Sequence, residues 1–520
     1  MAADRRRLRG AEARALRGYG PLFVLVAALL AMVVLVPSTV PDGVDAAGGA
    51  APTEVGDGQP ATGWGDTVTA CTDRDLQLPD LGYSPPCLSF SGDNGGTTAR
   101  GVTADTITVT YRITPDENLL VLMGTLGNVP LDETNEEMAR TAEALVEYFN
   151  ANFEFYGRRI ELVGYEGRGQ ILSEFTGAGQ DGATNDSIKV ANEIGAFADL
   201  TGLTQPYADA LARNGVVSVG APYMSRQWFE AHRPYAWSTF PDCSNTAEAS
   251  AVYANRRLFD REATHALGDL AREPRTLAVV APNNLEYQQC VDTFEEEIGA
   301  EGNEVSMRLD YTIDPAQLQT QAASIMAKLV ANRTTSVSCA CDPIMQMYLA
   351  QEATAQSYFP EWLIAGVGFI DMDLGGQIIS KNAPDQWVRA FGASPWAAQQ
   401  PPETSVAQAA YRSVRDDEPS LFVDQIYHQL LTLAIGIQMA GPELTPETFE
   451  TGLFAYPGGT GEAGAWDFGP GRYTPVTDTR EIWWDPDKIS PFNGERGSYA
   501  DAGARYPRDE MPEGEPEVFP

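Results

Sequence analysis

TLAVVAPNNLEYQQCVDTFEEEIGAEGNEVSMRLDY, residues 276–311, decides the fold of this chain. Its first six residues form an apolar, β-rich run without polar alternation, the pattern of a strand covered on both faces. A short polar turn leads into 286–298, which reads as a helix, and 304–311 returns to strand. Strand, helix and strand in close succession imply a crossover connection and a parallel pair.

The same alternation extends in both directions. Downstream come a helix at 315–331, a strand at 335–339, a helix at 344–356 and a strand at 362–366. Upstream, 106–112 (TITVTYR) is a β-branched strand, and 133–153 puts Met138, Ala142, Leu145, Val146 and Phe149 on one helical face. A strand at 159–164, a helix at 186–197, a strand at 198–201, a helix at 206–213 and a strand at 216–219 follow. The two runs, parted near 235–241, predict an α/β fold of two doubly wound parallel-sheet lobes in tandem. Beyond 370 the expected elements are helices at 404–412, 422–440 and 445–452 and a β-hairpin at 465–484. On the helix at 422–440, Ile426, Leu430, Leu433 and Ile437 share one face and read as core, with Tyr427 near enough to its start to reach a cleft.

The flanks differ in composition. Arg5, Arg6, Arg7, Arg9, Arg14 and Arg17 precede an uncharged apolar run at 22–36, an arrangement that reads as a signal or anchor helix over 1–40 with its basic end cytoplasmic. Cleavage and retention both remain open, and everything after about residue 40 is expected outside the cytoplasm. Residues 41–100 are rich in Gly, Pro, Asp and Thr and read as a stalk; 490–520 reads as an extended tail. The net charge of −37, from 72 acidic against 35 basic residues, argues against a nucleic-acid surface.

Six cysteines in an exported chain permit three disulfides. Cys71 and Cys87 flank a Pro-rich loop and are expected to pair with each other. Cys339 and Cys341 lie too close in sequence for an easy bridge within an extended strand, where alternate Cα atoms are about 6–7 Å apart. The first cysteine after the apolar run is Cys71, so a lipoprotein-type anchor is not supported. Without a CxxC pair or nearby histidines no metal site is expected.

Several phrases in order, among them GVTADTITVTYR, VVSVGAPYMS, YAWSTFP, the segment from TLAVVAPNN onward and DPIMQMYLAQEATAQSYFPEWLIAG, resemble the type I periplasmic binding proteins, in particular the branched-chain amino-acid binders of ABC importers. The resemblance spans roughly 100–490. It implies two lobes joined by a three-segment hinge, with crossovers near 235–241, 366–374 and 441–446. Lobe 1 would hold 101–240 and 370–441, and lobe 2 would hold 241–369 and 442–489. The ligand would lie between the carboxyl ends of the strands, as in open parallel sheets generally.

At the matching turns the resemblance points to Thr201, Thr204, Ala221, Pro222 and Tyr223 in lobe 1 and to Asn284, Tyr287, Asp342, Phe369 and Asp371 in lobe 2. Thr201 also fits a strand-end cap, Tyr287 a packed ring, and Asp342, before Pro343, a helix cap. Asp371 or Glu286 would be the anchor for an amine. One departure is the segment 114–135, TPDENLLVLMGTLGNVPLDETN, where the family turns through a shorter loop; it reads as an apolar cleft wall, a lid or a partner surface.

An enzyme would show a catalytic set. GxSxG, the P-loop and HExxH are all missing, and His232, His265 and His428 are scattered. Trp466, Phe468, Tyr473, Trp483 and Trp484 suit either a sugar-stacking face or the packed edge of a lobe. The resemblance, together with the missing catalytic set, implies a non-enzymatic receptor without a cofactor. It would capture a small organic solute, such as an amino acid, amide or related carboxylate, and pass it to a membrane permease. The alternative is an anchored extracellular sensor or interaction module on the same fold.

Overall fold

The structure, a computed structural model, describes residues 67–114 and 133–520. The signal or anchor segment, the first part of the expected stalk and most of the long segment after the first strand lie outside the described residues. Two short antiparallel strands, β1 (Val68–Ala70) and β2 (Leu88–Phe90), come first, with the Cys71–Cys87 disulfide beside them. Next is a sheet of five parallel strands ordered β4-β3-β5-β6-β7. It comprises β3 (Thr106–Ile113), β4 (Arg159–Glu166), β5 (Ala198–Asp199), β6 (Val217–Val219) and β7 (Ala236–Trp237). Five helices accompany these strands: α1 (Asn135–Asn152), α2 (Ile171–Phe175), α3 (Gln180–Ile188), α4 (Gln205–Arg213) and α5 (Arg226–Ala231).

α1 begins at a capping box in which Thr134 and Glu137 each bond the other's backbone N–H, and Glu136 and Glu137 complement its dipole. Its buried face includes Ala142, Leu145, Val146 and Phe149, as the spacing predicts. The helix expected at 186–197 is displaced. α3 starts earlier and passes into a π-helical turn, Lys189–Ile194, that ends at Gly195 in the left-handed conformation a glycine adopts most readily.

The second run opens with α6 (Cys243–Arg257) and continues as β8 (Leu277–Pro282), α7 (Leu285–Ala300), β9 (Met307–Tyr311), α8 (Leu318–Asn332), β10 (Ser336–Cys339), α9 (Pro343–Ala355), β11 (Glu361–Ile364), α10 (Asp373–Asn382), α11 (Pro384–Trp387) and β12 (Ala390–Ser394). Every residue of β8 is buried. Ala278 and Val280 join one apolar cluster while Leu277 and Val279 join others, so the strand is covered on both faces. The chain then returns to the first lobe through α12 (Val406–Arg412), α13 (Val423–Ala440), α14 (Pro446–Phe454) and the hairpin β13 (Gly459–Gly461) and β14 (Gly464–Trp466). It finishes with β15 (Asp478–Ile489) and β16 (Arg496–Pro507). α13 is buried on nearly every side and is the central helix of lobe 1; its Leu430 and Leu433 share a core with Val109, Leu145 and Val219.

The seven-stranded second sheet, β16-β15-β12-β11-β10-β8-β9, corrects several expectations. β12 pairs in parallel with β11, so the chain stays in lobe 2 past residue 370 and crosses near 395–405 instead of 366–374. Trp466, Phe468 and Tyr473 remain in the lobe 1 core, which moves the last crossover from 441–446 to 474–477, just before β15. The hairpin expected at 465–484 is split, because β14 pairs with β13 while β15 pairs with β12 and β16. The expected tail supplies β16, and Met511 and Val518 are buried against α6 and β12 neighbours. The described end of the expected stalk is likewise packed. Tyr83 is 1% exposed, donates its hydroxyl to the carbonyl of Gly464 and stacks on Trp466.

All six cysteines are paired: Cys71–Cys87, Cys243–Cys290 and Cys339–Cys341. The last pair corrects the sequence argument. β10 ends at Cys339 and the chain turns into α9, which brings the two Cα atoms to 5.1 Å instead of the extended spacing. Among the described residues, no helix is long and apolar enough to cross a membrane.

Candidate functional site

The carboxyl ends of both sheets face one another across a cleft, the position that open parallel sheets reserve for ligands. Two adjoining cavities of about 180 Å³ each occupy it and share Phe175, Pro222 and Phe369. The first lies on the lobe 1 side, walled by Tyr111, Met138, Leu200, Phe240, Phe422 and Ile426. The second lies on the lobe 2 side, walled by Tyr287, Ile313, Pro315, Ile344 and Val367. Both walls are overwhelmingly aliphatic and aromatic, so an occupant gains chiefly by burying apolar surface.

The polar groups at the cleft are largely committed to the protein. Thr201 lines the first cavity, but its hydroxyl donates to Asp199 Oδ1 at 2.8 Å and accepts from the backbone N–H of Arg112 at 2.9 Å. Arg112 donates to both carboxylate oxygens of Glu174, at 2.8 and 3.0 Å, and its guanidinium lies 3.7 Å from the centre of the Tyr207 ring. Thr204 donates to the same Glu174 and is fully buried, so its hydroxyl belongs to this ion cluster rather than to the cavity wall. Burial opposes the charge on Arg112, yet Glu174 outweighs it and holds the guanidinium protonated. Burial also raises the carboxyl of Asp199, which accepts hydrogen bonds from Thr110, Thr201 and Tyr207.

The remaining sequence candidates separate clearly. Pro222 lines both cavities, whereas Ala221 is packed in the lobe 1 core. Tyr223 lines the second cavity, with its hydroxyl accepting from the backbone N–H of Phe369 at 3.3 Å and from Trp396 Nε1 at 3.1 Å. Phe369 projects into both cavities; its ring meets Tyr223 edge-on at 5.3 Å and Phe240 at 5.8 Å. Asn284 stands at the start of α7 and borders neither cavity. Tyr287 borders the second, and burial with the nearby Asp342 charge pushes its phenol up to about 12. Asp342 also borders it, but Oδ1 caps α9 through the N–H groups of Ile344 and Met345 and Oδ2 accepts from Tyr311. Asp371 borders neither cleft cavity; it faces a separate space at the hinge.

Sequence reasoning missed Phe175, Phe240, Met372, Leu374 and Phe422, which supply much of the apolar wall. They come from loops and from the ends of short helices, where no periodicity marks them. Cross-lobe bonds complete the arrangement. Gln205 donates to Glu286 at 2.8 Å and Ser225 to Gln289 at 2.6 Å, which gives Glu286 a partner on the opposite lobe.

Two lobes, three connections and a cleft at the strand ends define the type I periplasmic-binding-protein fold, and solved structures agree. The chain is similar to a solute binding protein of an ABC transporter from Rhodopseudomonas palustris BisB5 in complex with 3,4-dihydroxybenzoic acid, with a TM-score of 0.52, 11% identity and coverage of 78% of this chain and 98% of that one. A periplasmic binding protein type 1 from Bordetella pertussis Tohama I gives 0.52, 14%, 76% and 100%. The branched-chain amino acid transporter substrate binding protein LivJ from Streptococcus pneumoniae, in complex with isoleucine, gives 0.50, 14%, 76% and 100%. No family model matches the chain, and no curated protein matches its sequence.

Proposed function

We propose that this protein is an extracytoplasmic solute receptor that closes its two lobes around a small organic molecule with an apolar body and presents it to the permease of an ABC importer. The observation that carries this reading is the pair of adjoining apolar cavities bridged by Phe369 and Pro222 at the strand ends. Of the solute classes expected from sequence, a carboxylate with an aromatic or branched aliphatic body fits best. Aromatic rings at Phe175, Phe240, Phe369 and Phe422 offer stacking surfaces. A free amino acid fits less well, because Asp342, the acidic side chain among the described cleft residues, is occupied as a helix cap. Benzoates and branched-chain amino acids, the ligands of structurally similar binding proteins, are the first probes.

Closure follows from differential contact. A solute held by lobe 1 touches Tyr287, Ile344 and Val367 only when the lobes approach, so it favours the closed state by the free energy of those added contacts. Calorimetric titration of benzoate into the full chain tests the reading. Binding by the wild type and its loss in Leu203→Asp, which places a carboxylate in the apolar wall, are the expected results. Equal binding by both proteins would place the ligand elsewhere.

A further inference from the structure

A second cavity, of about 90 Å³, lies where all three connections between the lobes run. Thr239 and Pro241 come from the first, Pro395 to Gln400 from the second and Val476 from the third. Four of its lining residues carry a buried side-chain acceptor with no hydrogen-bond partner in the protein: Asp371 Oδ1, Gln399 Oε1, Gln425 Oε1 and His428 Nε2. One lining residue, Trp466, carries a buried donor in the same condition, its indole N–H. Asp371, His428 and Trp466 are each at least nine-tenths buried. Unmade hydrogen bonds at such depth are costly, so groups of this kind are normally paired with protein, water or a ligand.

The charges around the space are unevenly satisfied. Arg480 is bound to Asp501 and to the carbonyls of Trp396 and Ala397, and Lys488 donates to the carbonyl of Tyr499. Asp373 accepts from Ser490 and from the N–H of Tyr499, and Asp424 accepts from Ser405. Asp371 keeps a single hydroxyl partner, Ser394, on Oδ2, and Glu462 lies 3.7 Å from His428. Burial pushes the carboxyls of Asp371 and Glu462 up to about 6 and about 7 and holds His428 neutral, down to about 4.

We propose that this hinge cavity is a ligand site, separate from the interlobe cleft, for a small primary amine that carries one hydrogen-bond acceptor, as an amino alcohol does. An ammonium group supplies three N–H donors to these unpartnered acceptors and a positive charge to a wall that carries Asp371, Asp373, Asp424 and Glu462 against Arg480 and Lys488, and a hydroxyl oxygen can take the Trp466 indole N–H. The volume suits a group of a few heavy atoms, not a solute of the size the cleft admits. Met372 and Gln425 border both this cavity and the first cleft cavity, so an occupant here touches the elements that move on closure.

The test is calorimetric titration of ethanolamine into the full chain, with tetramethylammonium, which has no N–H, at the same ionic strength. Ethanolamine is expected to bind and tetramethylammonium not to. Asp371→Asn should weaken ethanolamine binding by about tenfold or more, and Glu462→Gln, on a partly exposed turn, should weaken it in the same direction. Benzoate binding in the cleft should persist in both variants, which separates this site from the cleft reading. Equal heats for the two cations, no ethanolamine binding, or unchanged affinity in both variants would show that the cavity holds water only and overturn the proposal.

Discussion

The hydroxyl of Tyr223, on the loop after β6, accepts a hydrogen bond from the backbone N–H of Phe369, on the loop after β11, so a 3.3 Å contact joins the two lobes at the cleft, alongside the Gln205–Glu286 and Ser225–Gln289 bonds. Both residues hold a left-handed backbone, at φ 57° and 63°, which costs a non-glycine residue about 1–2 kcal/mol. The surrounding packing holds them there: Tyr223 also receives the Trp396 indole N–H, and Phe369 packs against Phe240. Tyr223→Phe keeps the ring and removes the acceptor. It is expected to leave the fold intact and to weaken solute binding by about 1 kcal/mol, roughly fivefold, read by calorimetry with benzoate.

The Arg112–Glu174 pair is almost fully buried and holds the end of β3 to α2 under the cleft. Glu174→Gln should destabilise the protein by up to about 3–5 kcal/mol in urea unfolding, because it leaves the buried Arg112 cation with the longer 3.4 Å contact to Asp186 in place of a two-pronged pair. The Arg415–Glu147 pair is an internal comparison, with side chains 36% and 54% exposed. Glu147→Gln should cost at most about 1 kcal/mol.

Asp371 and Glu462 give the hinge a pH dependence. Their folded-state values, about 6 and about 7, lie above those of unfolded carboxyls, so the folded state binds the extra protons. Their contribution therefore favours folding below about pH 4 and is lost as pH rises through about 6 to 7. Asp371→Asn should reduce the fall in unfolding free energy between pH 4 and pH 7, by an amount on the order of 2 kcal/mol, measured by urea titration at each pH. A fall of unchanged size would assign the pH dependence to other groups.

Cys243–Cys290 joins α6 to α7 with a sequence separation of 47, and Cys71–Cys87 closes a separation of 16. Loop-closure entropy gives about 4 and about 3 kcal/mol for spans of this length. Replacing Cys243 and Cys290 together by Ala should lower the unfolding free energy more than replacing Cys71 and Cys87, and both effects should vanish when wild type and variants are compared under reducing conditions.

How far the sequence could be read depended on where burial left a period. β8, all apolar, and α1, with its capping box and apolar face, were legible because each buries a regular set of side chains. β12, AFGAS, and β16, with its polar YADAGARY, carry little strand signal. Their pairing is decided by the neighbouring strands, so the hinge crossings and the tail were misplaced. At the site, Pro222, Tyr223, Tyr287 and Phe369 were legible as turn residues at strand ends. Thr204 and Ala221 lie at equivalent turns but point into an ion cluster and the core, a distinction that only the fold makes. The rings of Phe175, at the end of α2, and of Phe240 and Phe422, on loops, come from places far apart in sequence, and the cysteine pairing at 339 and 341 depended on where β10 ends.

Whether the apolar interlobe cleft takes a small organic solute is tested most directly by thermal unfolding of the full chain against benzoate, hydroxybenzoates and branched-chain amino acids. At least one compound should raise the melting temperature progressively with concentration, corresponding to about 2.7 kcal/mol at a hundred times its Kd, and Phe175→Ala should remove the shift while leaving the unliganded melting point nearly unchanged. The absence of any shift across the panel, or a shift of equal size in Phe175→Ala, would contradict the account.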